Sequence, residues 1–144
     1  MNSYSTNELL NRLVVLHERS LPLYLSYAGA DRLESSPKIA AVIRQMVEDQ
    51  KRTVDRIATL ILDNGGLVDR GEFPMNFTGY NDLSVKFLLH KTIERQEKTI
   101  AMIEKIAGLL ATAPYAQAAA REALGEAKGH LENLQEAAGE PAAA

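Results

Sequence analysis

The sequence predicts an all-α fold, an antiparallel four-helix bundle with a long crossover between helices 2 and 3. Three observations carry this. Apolar residues recur at three- and four-residue steps over four separate stretches, the period of a helix that buries one face. Serine, proline and glycine punctuate those stretches where helices start and stop. The connections run short, long, short, so the second and third helices can lie side by side in the same direction.

The first stretch opens at Ser5, three residues before Glu8, the spacing of a capping box. Leu10, Leu13, Val14, Leu21, Tyr24 and Ala28 follow on one face, and the run fades near residues 32–34. Pro22 lies inside it and is expected to bend the helix locally. The second stretch starts with Ser36 as cap and Pro37 in the first turn. Its inward stripe is Ile39, Ile43, Met46, Val47, Val54, Ile57 and Ile61, and Gly65–Gly66 stop it. At 1.5 Å per residue this rod is about 40 Å long.

Residues 65–81, GGLVDRGEFPMNFTGYN, have no helical period and suit a crossover along the bundle. Asn81 or Asp82 is expected to cap the third helix, whose stripe is Leu89, Ile93, Ile100, Ile103, Ala107 and Leu110. A break at Thr112–Pro114 starts the fourth, with Ala116, Ala120, Ala123, Leu124, Leu131 and Leu134 inward. Its alanines imply a neighbour at close range. Residues 5–138 are expected to form one domain and 139–144 a frayed tail.

Composition narrows the function classes. The chain has 144 residues, 46% hydrophobic and 24% charged, with net charge −3 and no cysteine. Disulfides and thiolate metal sites are excluded, and nothing pulls the chain toward nucleic acid or an anionic membrane. No stretch reads as a signal peptide or a membrane span, so the expected location is the cytoplasm. The Asn76–Thr78 acceptor triplet and the DNGG helix stop carry no further chemistry.

Chemistry in such a bundle comes from polar residues that interrupt the apolar stripes. His17 and Glu18 do so in the first helix, Gln50 and Thr53 in the second, Glu94 and Glu97 in the third, with His90 near them. Glu126 and His130 do so in the fourth. Together with Tyr24 they can form one polar layer. Gln50 sits between Met46 and Val54 on the inward stripe, so its amide needs partners. Glu94 or Glu97, His130 and Tyr24 are the candidates.

Two motifs carry a resemblance. DRIATLILDNGG, residues 55–66, and KGHLENL, residues 128–134, resemble the second and fourth helices of the ferritin-like superfamily, of the bacterioferritin and rubrerythrin kind. The resemblance implies a di-iron site, and only half of its ligands are here. Glu18 matches the first-helix carboxylate. Glu94 matches the third-helix carboxylate, with Glu97 as competitor, and His130 matches the fourth-helix histidine. Gln50 and Thr53 stand where the second-helix Glu and His belong. Ala127 stands where the fourth helix has its bridging Glu, with Glu126 one position and about 100° away.

A neutral amide or hydroxyl is a weak iron donor, and bridging two ferrous ions takes carboxylates. The implied function is therefore a ferritin-like bundle with a degenerate di-iron motif, no intact centre and no cofactor. It would act by binding or self-association, with a homodimer as the implied assembly. The alternative is a metal-dependent oxidoreductase or iron-handling protein, holding iron or another divalent metal on Glu18, Glu94 or Glu97, and His130.

Overall fold

Pro22 decides how the first helical stretch is built. Proline offers no N–H to the carbonyl four residues back, and its ring crowds that carbonyl. Here that carbonyl belongs to Glu18. The computed structural model describes residues 5–28, 36–71 and 84–139, and in it α1 (Thr6–Glu18) ends at this residue. A second segment, α2 (Leu21–Ala28), starts afresh. The expected bend is thus a complete break at Arg19 and Ser20. Ser20 caps the new helix: its Oγ accepts from the Leu23 N–H at 3.3 Å, and its carbonyl accepts from Tyr24 N–H at 3.1 Å.

The other helices are α3 (Pro37–Asp63), α4 (Val85–Leu109) and α5 (Pro114–Ala137). With α1 and α2 counted as one broken rod, four helical rods make a bundle, and the described residues contain no strand. Ser5 caps α1 through the Glu8 N–H at 3.1 Å. Ser84 caps α4 through the Phe87 N–H at 3.2 Å, replacing the cap expected at Asn81 or Asp82, which lie outside the described residues. Pro37 and Pro114 open α3 and α5. Ala28, the fade at residues 32–34, most of the 65–81 crossover and the tail from 140 also lie outside the described residues, or have side chains that do.

The two glycines after α3 serve different needs. Gly65 takes φ +78°, the left-handed turn that ends the helix. Gly66 has an ordinary φ, but a Cβ there would stand 2.5 Å from Asn7 Nδ2 and 3.0 Å from Ile61 Cγ2. The chain can therefore press against the start of α1. From there it runs along α1. Asn64 Nδ2 donates to Asn7 Oδ1 at 3.1 Å. Asn11 brackets the Asp69 backbone, accepting from its N–H and donating to its carbonyl, both at 2.8 Å. Arg19 donates to the carbonyls of Arg70 at 2.9 Å and Gly71 at 3.1 Å. The described part of the crossover is thus a strap on α1, not a tight hairpin.

The apolar core has two clusters. One gathers Leu9, Leu10, Leu13 and Val14 of α1 with Val54, Ile57 and Ile61 of α3, Ile103, Ile106 and Ala107 of α4, and the alanines of α5. The other gathers Leu21, Tyr24 and Leu25 of α2 with Ile39, Ile43, Met46 and Val47 of α3, Leu88, Leu89 and Ile93 of α4, and Leu134 of α5. The stripes expected from the sequence are in these clusters or packed against them, apart from Ala28. Ala116, Ala119, Ala120, Ala123 and Ala127 give α5 a side with almost no bulk, and α5 packs there on α3 and α4.

Two glycine substitutions test these backbone assignments. Gly65→Ala is expected to lower stability by about 1–2 kcal/mol, the cost of a left-handed residue bearing a Cβ. Gly125 lies mid-helix in α5 with open space where a Cβ would be. Gly125→Ala is expected to raise stability by about 0.5–1 kcal/mol. Urea midpoints of the two variants are expected to move in opposite directions.

Candidate functional site

Between the two apolar clusters every rod contributes buried polar side chains. His17 comes from α1, Gln50 and Thr53 from α3, Thr92 and Gln96 from α4, and His130 from α5. Glu126 is half-buried beside them. In low dielectric each of these must find a partner, and the partners cross between helices.

The seam between α3 and α5 carries the charged pairs. His130 Nε2 donates to Asp49 Oδ2 at 2.7 Å. The other oxygen of Asp49 accepts from Gln45 Nε2 at 3.0 Å and from Arg52. One turn along, Thr53 Oγ1 donates to Glu126 Oε2 at 2.8 Å. A further turn brings Arg56 against Glu122 as an ion pair. On the opposite side Gln96 Nε2 donates to the Ala127 carbonyl at 2.9 Å, which ties α4 to α5. Thr92 Oγ1 returns its hydrogen to its own helix, at the Leu88 carbonyl, 2.7 Å away.

Gln50 is 7% exposed, and its carbonyl oxygen accepts from Ser20 Oγ at 2.9 Å. The partner therefore comes from the helix break and not from Glu94, Glu97, His130 or Tyr24, the four expected from the sequence. Tyr24 is buried one level away, in the cluster built around α2.

His17 Nδ1 lies 2.7 Å from the Leu13 carbonyl. A carbonyl can only accept, so Nδ1 carries the hydrogen. Burial disfavours the cation and lowers the pKa of this ring below the ordinary 6.5. The Leu13 bond and the nearby Glu126 carboxylate act the other way, and the nearby His130 adds to the lowering. His17 is thus a neutral imidazole whose Nε2 bears a lone pair.

The candidate metal ligands do not come together. Glu94 is 53% exposed and pairs with Lys91 at 3.4 Å and Lys98 at 3.7 Å on its own helix. Glu97 is exposed, as is His90. Glu18 is half-buried and pairs with Arg70 of the strap at 3.4 Å. His130 is buried, with its Nε2 bound to Asp49. Among the described residues no group of three or more His, Asp or Glu side chains is placed to hold a metal ion. The donor set does not fit a di-iron centre: Gln50, Thr53 and Ala127 supply no charge there, and the carboxylates expected from α4 face outward.

Asp49, Gln96 and Ser20 take part in the layer although none of them is among the residues expected from the sequence. A signal for Gln96 existed. The α4 stripe steps by four and three from Leu89 to Ile93 and from Ile100 to Ile103 and Ala107. Continuing that rhythm from Ile93 lands on residue 96, which places Glu94 and Glu97 each about 100° off the stripe.

Two measurements follow from this geometry. Asp49→Ala removes the acceptor of a buried histidine and is expected to cost about 1.5–3 kcal/mol, the range for a hydrogen bond to a charged group. Glu94→Ala, on the outer face, is expected to stay within about 0.5 kcal/mol. Guanidinium midpoints compare the two. The second concerns pH. Because folding lowers the His17 pKa, the unfolded chain binds the proton more readily. The stability this ring contributes is full above pH 6.5 and is lost as pH falls through its folded-state pKa. Urea midpoints of the parent protein are expected to drop from pH 7 to pH 5, and His17→Gln is expected to flatten that slope.

Neither a protein-family model, nor a curated protein, nor a solved structure matches this chain, so the reading of the site rests on its own geometry.

Proposed function

We propose that this chain is a ferritin-like antiparallel four-helix bundle whose polar layer is held by protein hydrogen bonds in place of a di-iron centre. It works without catalysis, as a binding or self-association module. The single observation that carries the reading is the α3–α5 seam. The imidazole Nε2 of His130 is held by Asp49 at 2.7 Å, and Glu126 accepts from Thr53. His130, Thr53 and Gln50, which stand at ligand positions, are each engaged by a protein partner.

The antiparallel arrangement is supported by the order of the cross-links. Along the seam the α3 partners run Asp49, Thr53, Arg56 while the α5 partners run His130, Glu126, Glu122. Gln96 meets Ala127 and Gln117 meets Ala107, again in reverse order. Asn7 meets Asn64 and Ser20 meets Gln50 in the same sense. If α3 and α4 both oppose α5, they run parallel, as a crossover between them requires. The apolar side chains left outside, among them Leu62, Leu67, Met102 and Tyr115, are the material for self-association into a homodimer.

Metal analysis after growth in iron-supplemented medium tests the proposal, with sedimentation on the same sample. The expected result is well under one iron per chain, no absorption from an oxo-bridged pair, and a concentration-dependent dimer. Stoichiometric metal lost with His130→Ala would replace this reading with that of an altered metal site.

A further inference from the structure

We infer that the break between α1 and α2 opens a binding pocket for a small hydroxycarboxylate. This deepens the binding-module reading and rests on it. It does not depend on self-association or on the absence of iron.

A cavity of about 180 Å³ lies where α1 ends, walled by Arg19, Ser20 and Gln50 on one side and Thr92, Arg95 and Gln96 on the other. The arrangement at Gln50 is the main evidence. Ser20 Oγ accepts from the Leu23 N–H, so its own hydrogen is free for Gln50 Oε1. With Oε1 on Ser20, the Gln50 NH2 group is turned away from it. Among the described residues this NH2 has no hydrogen-bond partner. Yet among the described residues no fully sealed side-chain nitrogen or oxygen lacks one. The NH2 group therefore reaches the cavity it lines, although Gln50 is 93% buried by its 7% exposure.

Gln96 presents the complement. Its NH2 is used on the Ala127 carbonyl, and its Oε1 has no partner among the described residues. It too is buried, at 5% exposure, and lines the same cavity.

Charge selects the ligand. Arg19 spends its hydrogen bonds on two main-chain carbonyls and is paired with no carboxylate among the described residues, so its positive charge stands uncompensated at the wall. Among the described residues no Asp or Glu lines the cavity. An anion that accepts from the Gln50 NH2 and the Arg19 guanidinium fits, and a carboxylate is the planar match for them. Gln96 Oε1 and Thr92 Oγ want a donor in return, which a hydroxyl on the same molecule supplies. At roughly 30 Å³ per water the cavity holds about six waters, the size of glycolate or lactate.

The test is a titration of the full chain, labelled with nitrogen-15, with glycolate and with acetate at constant ionic strength in chloride. Saturable shifts of the Gln50 and Gln96 side-chain amide signals are expected with glycolate. Acetate is expected to bind about tenfold more weakly, the loss of one hydrogen bond in a site built for it. Gln50→Glu keeps the acceptor for Ser20 but sets a carboxylate against the anion, and is expected to abolish binding. Arg19→Gln, at a partly exposed site, guards against a folding defect in that variant and is expected to weaken binding at least severalfold. No saturation with glycolate overturns the pocket. Equal binding of acetate overturns the hydroxyl assignment. Unchanged affinity in Arg19→Gln places the anion elsewhere. A protein that fails these tests but dimerises and stays iron-free loses this inference and keeps the proposed function.

Discussion

The hydrogen bond from His130 to Asp49 sets how α5 lies on α3, and much of the bundle is organised by it. A side-chain pair buried at one level of a helix seam tolerates little sliding, because moving either helix by one residue turns the partner through about 100°. Once that level is set, Thr53 meets Glu126 and Arg56 meets Glu122 at the following turns. The alanine face of α5 then lies where its small side chains let α3 and α4 approach. Apolar side chains alone can interdigitate in more than one register. A buried polar pair that must be satisfied singles out one of them.

What could be read in the sequence divides along the range of the interactions. Caps and stops are local, and Ser5, Pro37, Gly65 and Pro114 act where the sequence puts them. The apolar stripes are periodic, and they point inward as their spacing implies. Pro22 was legible as a disturbance. Its outcome as a full break depends on Ser20 supplying a fresh cap and on Gln50 receiving the Ser20 hydroxyl, 30 positions away. Partnerships of that kind leave no trace in a single sequence.

Glu94 and Glu97 show the other limit. Both adjoin the α4 stripe, and a resemblance assigned them to the interior. The true interior residue, Gln96, is uncharged and matches no ligand pattern. Asp49 lies one position before Gln50, about 100° around the helix and off the apolar stripe, so periodicity does not mark it. Its role depends on α5 arriving at the right height, with His130 facing it.

The two-storey core has a consequence for how the molecule comes apart. A bundle with one continuous apolar interior unzips as a whole, since losing any layer exposes the next. Here a hydrogen-bonded floor separates a storey built on α1 from a storey built on α2. The α2 storey can loosen while the floor bonds, the strap on α1 and the alanine-lined storey stay closed. The free energy of opening is then expected to be graded along the length of the rods. The break at Ser20 is the joint between the two storeys, so motion of the short helix can occur without unwinding the long ones.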